Sequence, residues 1–90
     1  MKHTVKEVLD LFDIDAGRLP ILEDRIVDAK RPELMKSWQA CEDYRKLIFH
    51  SFERYYSADM NIQPMILTQI EIDRGTLHTM LESLEQKLTQ

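Results

Sequence analysis

From Pro32 to the end of the chain, large or apolar residues recur at alternating intervals of four and three. The first series is Leu34, Trp38, Cys41, Arg45, Ile48, Phe52 and Tyr55, and the second is Leu67, Ile70, Arg74, Leu77, Leu81, Leu84 and Leu88. That rhythm lays one stripe along an α-helix and suits no strand, whose side chains repeat every two residues. It predicts a long helix from Pro32 to about Ser57 and another from Pro64, joined by Ala58-Asp59-Met60-Asn61-Ile62-Gln63. Two such helices with so short a connector fold back as an antiparallel hairpin. Breakers are scarce, with only Gly17 and Gly75 as glycines and Pro20, Pro32 and Pro64 as prolines. The expected class is therefore all-α.

The amino-terminal third predicts two shorter helices. Thr4 followed by Glu7 has capping-box spacing, and Val5, Val8, Leu9 and Phe12 then make a stripe over residues 5–12. Asp13-Ile14-Asp15-Ala16-Gly17 has the composition of a turn, after which Leu19, Leu22, Ile26 and Ala29 mark a second short helix with Pro20 in its first turn. Arg31-Pro32 closes it, because a residue before proline is pushed out of the α region. The chain is thus expected to be one helical domain over 1–90, with a helix-turn-helix-like head at 1–31 and the hairpin at 32–90.

Ninety residues with 43% hydrophobic and 31% charged content fit one domain with a thin core. A second copy is expected to complete that core. The predicted homodimer interface is Leu77, Leu81, Leu84 and Leu88, a stripe longer than two short helices can cover. Cys41 is the single cysteine, which excludes a disulfide framework and a thiolate zinc site and fits a reducing compartment. No window holds about 20 consecutive apolar residues, and the amino terminus runs directly into charge, so neither a membrane span nor an export signal is expected. The expected location is cytoplasmic. Formal net charge is −4, a sign that repels phosphate and makes nucleic acid an unfavoured partner.

Signatures of chemistry are missing: no glycine-rich phosphate loop, nucleophile elbow, HExxH or paired-cysteine motif occurs, so no enzyme activity and no cofactor are expected. His50 with Glu53, and His78 across the hairpin from Glu42 and Asp43, can be drawn as a metal site. They lack the repeated Glu-x-x-His of bundle metal centres, and no metal is expected. Level pairing in the hairpin sets Arg45 near Asp73 to Gly75 and Cys41 near Met80. Gly75 would then let Tyr44 or Arg45 approach the facing backbone, Cys41 would be an inert buried thiol, and Arg45 and Arg74 would each find a carboxylate or extend to water. Phe49, Phe52, Tyr55 and Tyr56 cover more than one helical face, enough for a core and an interface.

Glu7, Asp10, Asp13 and Asp15 fall within nine positions with no intervening Lys or Arg. Because the first helix uses Val5, Val8, Leu9 and Phe12 for its core, these four carboxylates are expected to face outward as a docking edge for a basic partner. Charge of that kind steers encounter and fixes register.

The segment from Thr4 through Leu19 resembles the helix-turn-helix that opens MerR-type regulators. Trp38 opening a long helix, Asp59-Met60-Asn61-Ile62-Gln63-Pro64, and the terminal Leu81-Glu82-Ser83-Leu84-Glu85-Gln86-Lys87-Leu88 resemble the CbpM family of small chaperone modulators, which join a MerR-like head to a helical tail. That resemblance implies a protein that binds the J-domain of a DnaJ-like co-chaperone and restrains its work with DnaK. A helical inhibitor or adaptor of another protein, phage or secretion-associated, is the alternative, followed by a MerR-like DNA-binding regulator. Where DNA readers of the MerR type carry arginine and aromatics, Leu19 is followed here by Pro20, Ile21 and Leu22.

Overall fold

The computed structural model describes residues 3–90, and every described element is helical. Helix α1 spans Val5–Asp28, a 3₁₀ turn covers Pro32–Leu34, α2 spans Met35–Ser57 and α3 spans Gln63–Leu88. Residues 58–62 connect α2 to α3.

The predicted turn at Asp13–Gly17 does not occur: α1 is one helix of 24 residues. Its start is as expected. Thr4 Oγ1 accepts from the Glu7 amide, and the Glu7 carboxylate accepts from the Thr4 amide, completing the capping box. The helix then continues because Val8, Phe12, Asp15, Leu19, Leu22 and Ile26 are all buried on one face. Asp15 occupies a core position in that series, so a polar residue inside the stripe has the sequence appearance of a break. Gly17 and Pro20 are tolerated in the helix interior although together they cost about 4 kcal/mol of helix propensity. Tertiary contacts offset this locally. Trp38 Nε1 donates to the Leu19 carbonyl at 2.7 Å, and Arg18 on the same turn reaches two carboxylates of α3. At the far end Arg31 N–H bonds the Ile26 carbonyl and Lys30 N–H bonds Val27, with Lys30 at φ 55°. That is a Schellman ending with lysine in the place that glycine usually takes.

Contacts between helices fix their order. Along α1 and α3 residue numbers rise together, Asp15 meeting Arg74 and Arg18 meeting Glu85. Along α2 and α3 they oppose: the Gln63 side chain donates to the Tyr55 carbonyl near the connector, and the Tyr44 hydroxyl donates to Asp73 further along. Phe12 and Phe52 lie 5.5 Å apart between α1 and α2. One contiguous core runs between the three helices, with Ile48, Ile70, Leu77 and Leu81 fully buried in it.

Gly75 is corrected by the same contacts. A Cβ at Gly75 would meet nothing within 4 Å, Arg45 bonds Glu42 on its own helix, and Tyr44 goes to Asp73, so neither side chain uses Gly75 as a point of close approach. Cys41 is buried, and burial pushes its thiol above the ordinary value.

Candidate functional site

Helix α1 separates its charges by face. It carries seven carboxylates and three cations, a difference of four that equals the formal charge of −4 of the whole chain. Two of the three cations, Arg18 and Arg25, point to α3. Arg18 is 2.9 Å from Glu82 and 2.6 Å from Glu85, and Arg25 is 4.0 Å from Glu85. Burial alone would lower the Arg18 pKa, but its bonds to Glu85 and Glu82 outweigh that and raise it.

Asp15 also turns inward and is only 2% exposed. Its Oδ2 is 3.2 Å from Arg74 Nη1, its Oδ1 is 3.0 Å from His78 Nδ1, and Arg18 Nη1 is 3.8 Å away. The expected outward position of Asp15 is therefore corrected: it is the buried centre of a clasp between α1 and α3. Asp13 is two residues away, and a helix rotates by about 200° over two residues, which turns one aspartate in and the other out.

The outward face holds Asp10, Asp13, Asp24 and Asp28, all exposed, with Ile14 at 66% and Ile21 at 62% exposure along its edge. Lys6 pairs with Asp10 at 3.3 Å, a surface contact worth little. Asp10 with Asp13 and Asp24 with Asp28 are like-charge neighbours on a helix, each pair costing about 0.2–0.5 kcal/mol. Asp28 ends the helix, where the macrodipole disfavours negative charge. Glu7 is exposed but engaged at the cap. The Thr4 amide, then His3 and the Thr4 hydroxyl, hold its carboxyl below the usual glutamate value. Of the four acids expected on the docking edge, Asp10 and Asp13 lie exposed on the outward face, and that face extends to Asp24 and Asp28, which Arg18 and the turn-like Asp13–Gly17 segment separate from them in sequence.

The leucine stripe is corrected too. Leu77, Leu81 and Leu84 are at most 1% exposed within a single chain, and Leu88 packs against the same core. A 24-residue helix is about 36 Å long at ~1.5 Å per residue, so the unbroken α1 covers a stripe that two short helices could not. Any contact between copies must use another surface.

The remaining candidates lie apart. His78 faces Asp15 and Glu82 instead of Glu42 and Asp43, and His50 bonds Glu53 at 2.8 Å. Among the described residues no three His, Cys, Asp or Glu side chains are placed together to hold a metal ion. Arg74 and Arg45 each find a carboxylate, Asp15 and Glu42 respectively. The aromatic group divides: Phe52 is buried, Tyr55 packs against the core, and Phe49 and Tyr56 are about half exposed or more. No described helix is long and apolar enough to cross a membrane. No family model, no curated protein and no solved structure matches this chain.

Proposed function

We propose that this protein is a non-enzymatic regulator that binds a basic protein surface through the outer face of α1, with α2 and α3 as an antiparallel hairpin that braces it. The observation that carries this is the placement of Asp10, Asp13, Asp24 and Asp28 together in water beside Ile14 and Ile21. This arrangement lowers the stability of the free helix, and a cationic partner would relieve it. Aspartates supply steering and register, and the exposed isoleucines supply apolar area to bury.

The J-domain of a DnaJ-like co-chaperone is the partner the CbpM resemblance points to, and its basic helix has the required chemistry. The MerR-like DNA-binding alternative is weaker, because an unbroken α1 has no turn from which to aim a recognition helix. Titrating a purified J-domain against the wild type and against Asp10→Lys with Asp13→Lys tests the proposal, with circular dichroism reporting the fold. Wild-type binding that weakens by about tenfold or more in the double variant, and also with rising salt, is expected. Equal affinity for both proteins would refute the acidic-face site. Binding by neither would shift the proposal to an adaptor of a different basic partner.

A further inference from the structure

The side of α2 and α3 turned away from α1 carries a long groove in two segments. One, of about 630 Å³, lies among Ser37, Ala40, Thr76, Thr79 and Ser83, with Lys87 at its end. The other, of about 310 Å³, lies between Leu47 and Gln69 and ends at Arg54. The Tyr44–Asp73 hydrogen bond sits at the level between them. Ile72 and Leu47, both more than half exposed, give the groove an apolar lining. Its lining cations are Arg54 and Lys87 at opposite ends, and its one lining carboxylate, Asp73, is buried and already accepts from Tyr44 and Gln69.

We infer that this groove receives the outer face of α1 from a second copy of the chain. The charges are complementary and so are their spacings. Asp10 to Asp28 on α1 spans eighteen residues, as does Gln69 to Lys87 on α3, in each case about 27 Å of helix at ~1.5 Å per residue. Aligned in parallel, Asp10 lies at the Arg54 end and Asp28 beside Lys87. Gly17 then comes within a residue of the level of Gly75. Those are the chain's only glycines, both are in helix interiors, neither has positive φ, and a Cβ on either would meet nothing within 4 Å inside the molecule. Nothing within one copy accounts for their small size. A helix seated in the groove does, because glycine lets two helix backbones approach closely.

The two surfaces lie on opposite sides of the bundle, so the contact is head-to-tail and not two-fold, and it builds a series of copies. It goes beyond the partner proposal, since the groove has no part in that proposal. The two share α1, so a bound basic partner competes with assembly.

The test uses two variants of the full chain: Arg54→Glu with Lys87→Glu in the groove, and Asp10→Lys with Asp28→Lys on α1. Sedimentation velocity from micromolar to millimolar concentration at low salt should show the wild type growing beyond a monomer and each variant dissociating with a constant raised by about tenfold or more. In a mixture of the two variants the charges are complementary at both contacts, the native α1 with the native groove and the reversed α1 with the reversed groove, so association should be restored. Gly75→Leu, which fills the groove without disturbing the core, should also be monomeric while melting no lower than the wild type. A wild type that stays monomeric throughout, or a mixture that does not pair while both variants are folded, would overturn the inference. The groove variants keep α1 intact, so their J-domain affinity reports on the partner proposal separately.

Discussion

The inner and outer faces of α1 are built from the same residue types and have opposite fates. Inside, Asp15 is sealed by Arg74 and His78 among Phe12, Leu19 and Leu22, while outside Asp13 stands in water near Ile14 and Gly17. A local count of acids cannot distinguish them. Helical phase does, and it makes one aspartate a structural clasp and its neighbour part of a surface.

Asp15→Ala is the most disruptive way to probe that contrast. It leaves Arg74 and His78 without their carboxylate and opens space in the core, so unfolding free energy should fall by about 3 kcal/mol, below the full cost of breaking a buried pair because both partners are partly exposed. For a domain of this size that is a drop in Tm of roughly 12–24 °C. Asp13→Ala should change stability by no more than about 0.5 kcal/mol. Equal effects in thermal melts would mean that the two aspartates do not face opposite ways.

A smaller effect, of opposite sign, is expected on the outer face. Gly17→Ala adds a Cβ into open space in a helix interior and should stabilise the monomer by about 1 kcal/mol. The same change should weaken assembly if the groove receives this face. A gain in stability without any loss of association would separate the helix from the contact.

The smallest is at the cap. The Glu7 carboxyl titrates below its usual 4.5, so the stability it contributes is present above that value and disappears as pH falls through its lowered one. Helicity of the first turn should therefore decline with acid below about pH 4.5 in the wild type. Glu7→Gln should remove that pH dependence, as read from the Val5 and Lys6 amide resonances.

Much of the fold was legible in the sequence. The capping box at Thr4, the four-three stripes of α2 and α3, the connector before Gln63 and the end of α1 before Pro32 are all local signals, and all appear. The continuity of α1 was not legible, because Asp15 looks like a turn residue unless Arg74 and His78, some sixty positions away, are known to face it. Gly17 and Pro20 strengthened the misleading signal. The same break explains the leucine stripe: with the head divided into short helices, Leu77, Leu81 and Leu84 have no cover within the chain, and a second copy is what the sequence alone then offers them. Of the acidic site, Asp10 and Asp13 were found by proximity in sequence. Asp24 and Asp28 join them only once the helix is known to run unbroken.

The central claim is therefore that one helix from Val5 to Asp28 turns Asp15 inward and a row of aspartates outward. Amide hydrogen exchange across residues 13–17 tests it most directly. In a continuous helix the Ala16 and Gly17 amides are hydrogen-bonded within α1 and should exchange as slowly as those of Phe12 and Leu22. Rapid exchange confined to Asp13–Gly17, with protection on both sides, would show two helices and a turn and would contradict the account.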